Sequence, residues 1–120
     1  GANLSGAQGL LSPQDYLSQC EKDELGIVVF KRIGDTQYAA PLHWIIAPGQ
    51  FLTETVNPLP TLDCACGVNF GTRDWCDKNY AESDLWRCRI HWIDLAGVVV
   101  PYNTDGKARC NRLELLEKIS

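Results

Sequence analysis

Apolar and polar residues alternate along short stretches separated by turn-forming residues, and this pattern predicts a chain built mostly of strands. Ile27, Val28, Val29, Phe30 and Ile33 lie between Gly26 and Gly34, which predicts a strand over 26–33. Gly34-Asp35 reads as a hairpin turn into a second strand over 36–40. A short strand is expected over 43–47, followed by a Pro48-Gly49 turn and a cleanly alternating strand over 51–56. Pro58 and Pro60 require an extended loop over 57–63. The longest alternation runs over 85–93. Trp86, Cys88, Ile90 and Trp92 would point one way there, and Arg87, Arg89 and His91 the other. Residues 98–102 and 107–119 read as two arms of a C-terminal hairpin around Asn103-Thr104-Asp105-Gly106.

Two helices interrupt the strands. Ser12 can cap a helix that has Pro13 at its first position and Asp15 at the positive end of its dipole. Tyr16, Leu17 and Cys20 would form its apolar face, and it should end near Glu24. Thr72 can cap a second helix through Tyr80, with Trp75, Cys76 and Tyr80 facing inward. Short connections and hairpins place the whole in the α+β class, as a mostly antiparallel sheet with two short helices. The expected division is a separate N-terminal segment over 1–11, taken up below with its repeat resemblance, and one domain over 12–120.

Composition narrows the function classes. A chain of 120 residues, 45% of them apolar, suits one modest core and is not a disordered tail. No apolar run approaches the length of a bilayer crossing, so no membrane partner is expected. No basic region is followed by an apolar stretch at the N-terminus, so a secretory signal is absent or already removed, and a cytoplasmic setting is expected. Met is absent, so the numbering is expected to begin inside a longer product. The net charge of −4 argues against non-specific nucleic-acid binding. The eight basic residues of 61–120 leave room for a local basic patch.

Six cysteines offer the first candidate chemistry. Disulfides are one reading, but Cys20 and Cys110 lie far from the 64–88 cluster, and without an export signal reduced thiols are preferred. Cys64, Cys66, Cys76 and Cys88 could hold a structural zinc. Against that stands the lack of any Cys-x-x-Cys pair, and Cys88 shares a strand face with core-type residues. Arg87, Arg89 and His91, two residues apart on one strand, could meet phosphates, or else form a solvated face paired with carboxylates on neighbouring strands. Nothing in the sequence assembles a nucleophilic Ser/His/Asp or Cys/His set, and no phosphate-binding Gly loop is present.

Two resemblances add to this reading. Residues 2–10, Ala-Asn-Leu-Ser-Gly-Ala-Gln-Gly-Leu, resemble pentapeptide repeats, with Ala2 and Ala7 at the small position and Leu4 at the central one. Gly26-Ile27-Val28-Val29-Phe30-Lys31, Pro48-Gly49, the stretch 63–72 and the stretch 94–107 are similar to a domain that follows pentapeptide repeats in bacterial and phage proteins. That resemblance implies a binding or interaction module closing a solenoid, in a reduced cytosolic setting, with an unknown protein or nucleotide partner. It implies no mechanism.

The segment from Cys64 to Tyr80 is also similar in outline to the nicotinamide-pocket strand and helix of ADP-ribosyltransferases. Gly67, Asn69 and Phe70 would lie on the strand, and Tyr80 would stack on the ring. Lys31 or Arg32 would grip the dinucleotide, and Glu114 or Glu117 would serve as the catalytic carboxylate. The implied cofactor is NAD. The catalytic set would be Arg32, Tyr80 and Glu114, with Lys31, Gly67, Asn69 and Phe70 as ligand-binding residues; the basic face of Arg87, Arg89 and His91 stands as a separate ligand-binding candidate.

Overall fold

A computed structural model describes residues 13–34, 40–62, 65–102 and 104–120. The pentapeptide-like segment, the Ser12 cap, the expected turn at Asp35, most of the strand over 36–40, Cys64 and Asn103 lie outside the described residues. The chain is an α+β fold, a curved antiparallel sheet in the form of a half-barrel with, among the described residues, three short helices. The strands are β1 (Glu21–Lys22), β2 (Gly26–Ile33), β3 (Phe51–Thr53), β4 (Val68–Gly71), β5 (Asp84–His91), β6 (Lys107–Cys110) and β7 (Arg112–Lys118). Their order across the sheet is β3-β7-β5-β2-β4-β6, with β1 beside β2. The helices are α1 (Pro13–Ser18), α2 (Arg73–Lys78) and a 3-10 helix over Trp92–Gly97.

Alternation explains the core. Ile27, Val29 and Ile33 of β2, Trp86, Cys88 and Ile90 of β5, Val68 and Phe70 of β4, and Leu113 and Leu115 of β7 are buried in one cluster. Tyr16 of α1 is fully buried in it, with its hydroxyl donating to the Gly106 carbonyl (2.7 Å) and its ring edge-on to Phe70. A phenol in that position meets the requirement that buried polar atoms be paired. Gly26 lets β2 approach β5 closely, since a Cβ there would stand 2.0 Å from the Ile90 carbonyl oxygen.

Several sequence expectations are corrected. α1 stops at Ser18 rather than near Glu24, because 21–22 fold back on Ile27 and Val28 as β1. Asp23 makes the turn, its Oδ1 accepting from the Leu25 and Gly26 amides (2.9 and 3.0 Å). Residues 43–47 are not a strand. His43 Nε2 and Trp44 Nε1 both lie within 3.0 Å of the Thr53 carbonyl oxygen, so side chains rather than a backbone ladder dock this loop on β3.

The strand expected over 51–56 ends at Thr53, and that over 98–102 reduces to a single bridge, Val99 to Arg109. The long arm over 107–119 breaks at Asn111 into β6 and β7. There the Glu54 amide donates to the Asn111 carbonyl (3.1 Å), drawing the two ends of the curved sheet together. α2 ends at Lys78, two residues before Tyr80. β5 ends at His91. Trp92 leaves the core face and is 45% exposed, its indole N–H donating to the Glu24 carbonyl (2.9 Å). Thr72 caps α2 as its position suggests, accepting from the Trp75 amide (3.1 Å).

Candidate functional site

A cavity of about 440 Å³ lies at the C-terminal end of β2, against β4, α2 and the loop before β3. This volume falls within the range of small-molecule sites. Its basic groups are Lys31, Arg32 and Lys107, and its aromatic walls are Trp44, Phe70, Trp75 and Tyr80. Gly67 and Asn69 also line it, and Glu54 is the acidic side chain among the described lining residues.

Lys31 owes its position to strand alternation. It follows Ile27 and Val29 and precedes Ile33 on the core-facing side of β2, so a charged side chain is carried inward. Only 9% of it is exposed. Its Nζ donates to the Asn69 carbonyl (2.5 Å) and lies 5.3 Å from the centre of the Trp44 ring. Burial pulls its pKa down to about 8, because the charged form loses water, and the nearby Lys107 charge acts in the same direction.

Arg32 is held in place by structure. Its Nε donates to the Cys76 carbonyl (3.0 Å) and its Nη1 to the Ser83 carbonyl (2.8 Å), tying α2 and the following turn to β2. These bonds satisfy carbonyls at a helix end and fix the wall that carries Trp75.

The aromatic wall depends on glycines. Trp75 packs flat on β4, where a Cβ at Gly71 would stand 2.8 Å from Trp75 Cε3. Gly106, at φ +136, passes under the same ring, and a Cβ there would be 2.7 Å from Trp75 Cβ. Tyr80 stands just past α2 in a left-handed conformation, φ 53, with its ring 6.2 Å from that of Trp75. Its strained backbone turns the phenol toward the cavity rim.

Of the sequence candidates, Lys31, Arg32, Gly67, Asn69, Phe70 and Tyr80 come together in this cavity. Glu114 does not. Its Oε1 lies 3.0 Å from Arg89 Nη1 and 2.7 Å from His91 Nε2, in a separate cluster on the outer face of β5 and β7. Arg89 also grips Asp23 through Nε and Nη2 (2.9 and 2.7 Å), and this pairing holds the Asp23 carboxyl down at about 2. Arg87 faces Glu117 at 3.9 Å. Arg87, Arg89 and His91 are thus matched to carboxylates on neighbouring strands, an arrangement that accounts for their charge without a phosphate.

The cysteines are dispersed in environment. Cys66 is exposed, whereas Cys76, Cys88 and Cys110 are buried. Burial pushes the Cys76 thiol up to about 11 and Cys110 to about 12, and raises Cys88 as well. Among the described residues, no group of three metal-ligating side chains converges. No helix of the described residues is long and apolar enough to cross a membrane.

Sequence reasoning missed several members of the cavity, basic and aromatic ones among them. Trp44, Trp75 and Lys107 come from a loop, a helix and a distant strand, and only folding brings them together. One signal was available for Lys31, which follows the apolar run Ile27 to Phe30 at a position two residues from Val29 and from Ile33. The fold and cavity together define a small antiparallel α+β domain with a basic, aromatic-walled pocket. No protein-family model, characterised protein or solved structure matches the chain.

Proposed function

We propose that this domain is a binding module for a planar, negatively charged small molecule of the nucleotide kind, held in the Lys31 cavity. The observation that carries the reading is the meeting of Lys31, Arg32 and Lys107 with Trp44, Trp75 and Tyr80 around about 440 Å³. Flat aromatic faces suit a planar ring, and low-dielectric walls strengthen the attraction of the basic groups for an anion. Among the described lining residues, three basic groups against one carboxylate, Glu54, favour an anionic ligand. In this reading the module stands at the end of a pentapeptide-repeat segment and supplies its ligand-responsive part. Glu114, paired with Arg89 and His91 away from the cavity, takes no part in this binding.

The test is direct. NAD, ADP and AMP are titrated into the domain while tryptophan fluorescence and the melting temperature are followed. Binding is expected to quench fluorescence through Trp44 and Trp75, and to stabilise the fold by about 1.4 kcal/mol at a ligand concentration tenfold above Kd. Trp44→Ala should abolish both responses. No response to any of the three at millimolar concentration would remove the nucleotide reading.

A further inference from the structure

We infer that Lys31 Nζ is a nucleophile that condenses with an aldehyde or ketone group on an anionic ligand and holds it as a protonated imine. The inference rests on the cavity being the ligand site, and adds the chemical class of the ligand and a covalent step.

Geometry carries it. The amine stands at the cavity wall between two other wall groups, the Asn69 carbonyl and the Trp44 ring. The Asn69 carbonyl accepts a hydrogen bond from an ammonium, and it can equally accept one from an iminium N–H. The Trp44 face stabilises a cation in either form. A product that keeps both contacts and the positive charge forms at little electrostatic cost. Burial meanwhile favours the neutral amine that must attack, and a second cation, Lys107, shares the site. Desolvation and a neighbouring cation are the two means by which proteins activate lysine as a nucleophile.

The step balances without a co-reactant. Nζ of the ammonium first gives up one proton and attacks the carbonyl carbon, forming the C–N bond. The carbonyl oxygen then leaves as water, carrying that proton and one more from nitrogen. The product is an iminium with one N–H and the original single positive charge. No oxidation or reduction occurs. Lys107 and Arg32 would face the ligand's anionic group.

The probe is pyridoxal 5′-phosphate, a planar, anionic aldehyde. It is incubated with the protein at pH 7, the adduct is reduced to a secondary amine with sodium borohydride, and the modified lysines are mapped by mass spectrometry of peptides. Lys31 is expected to carry at least about tenfold more adduct than Lys22, Lys78, Lys107 or Lys118, following its larger neutral fraction. Lys31→Arg, which keeps the charge, should lose the fixed adduct. Labelling spread evenly over the lysines, or centred on Lys107, overturns the inference on the unaltered protein whether or not the variant folds. Pyridoxine 5′-phosphate, which has an alcohol in place of the aldehyde, separates the two readings. If it quenches fluorescence while the aldehyde leaves Lys31 unmodified, binding stands and the imine falls. If neither compound quenches and no adduct forms on Lys31, the cavity reading falls with it.

Discussion

Lys31 and Arg109 are both buried cations, yet the fold treats them differently. Arg109 is fully buried and spends its guanidinium on three backbone carbonyls, those of Asn57 (2.8 Å), Leu59 (2.6 Å) and Leu62 (2.6 Å). It is the anchor of the proline-containing loop, whose carbonyls have no ladder to join. Arg109→Met should take that donor from the Asn57 and Leu62 carbonyls, leave Leu59 only the Leu62 amide (3.2 Å), and cost about 3 kcal/mol, read as a fall in the midpoint of urea unfolding. Lys31 has poorer compensation. The groups facing it are Lys107, Cys76, Cys88 and Cys110, all neutral or like-charged at pH 7, besides the Asn69 carbonyl and Trp44. Between its folded value of about 8 and its ordinary 10.5, the unfolded chain binds more protons, so its contribution to stability rises with pH across that window. Below pH 8 the cost of burying the charge is fully present, at about 3 kcal/mol. Lys31→Met removes it, together with a hydrogen bond and a ring contact worth about 1–2 kcal/mol. The variant should therefore melt higher than the parent at pH 7, with the gap closing toward pH 10.5, while losing ligand binding. A residue that weakens the fold where it lines a cavity is the pattern expected of a functional group.

At the scale of elements, two local devices set the geometry. The β1–β2 hairpin turns on Asp23, which caps the turn amides and pairs with Arg89 of β5. Its carboxyl is held at about 2, so its contribution is present above the ordinary carboxylate value and lost as pH falls through the folded value. Asp23→Asn should lower the melting temperature at pH 7, and the difference from the parent should vanish near pH 2. The second device is the glycine floor under Trp75. Gly71→Ala would push Cβ to 2.8 Å from the indole ring, costing about 1–3 kcal/mol and driving Trp75 into the cavity. Ligand affinity, measured by titration calorimetry, should fall more than stability alone accounts for. Much at this scale was legible in the chain. The two faces of β5 follow from period-two alternation, the Thr72 cap from capping chemistry, and β2 from its run of β-forming residues between turns. The Asp23 turn was not read, because Asp-Glu-Leu-Gly resembles the end of a helix as closely as it does a hairpin. The break at Asn111 was hidden for a related reason. The apolar positions change phase there, from Ala108 and Cys110 to Leu113 and Leu115, but a one-residue slip is easily read through, and the differing partners of β6 and β7 are what require the bend.

For the whole molecule, curvature of the sheet decides which residues meet. Because the thiols of Cys76, Cys88 and Cys110 are inside that curve and Cys66 is outside, an alkylating reagent should modify Cys66 in the native state. The other three should react only at the rate of global unfolding, as followed by peptide mass mapping with and without denaturant. Fast native labelling of Cys88 would contradict the buried arrangement. The sequence by itself determined the class of the fold and its main strands, since these depend on residues two to four positions apart. It also suggested Lys31, Arg32, Gly67, Asn69, Phe70 and Tyr80 as candidate site residues. Only the tertiary structure decided that these share one cavity with Trp44, Trp75 and Lys107, and that Glu114 belongs instead to Arg89 and His91. The physical reason is that alternation fixes which face a side chain takes. Strand order, register and curvature fix its neighbours, and those arise from pairings across the whole chain.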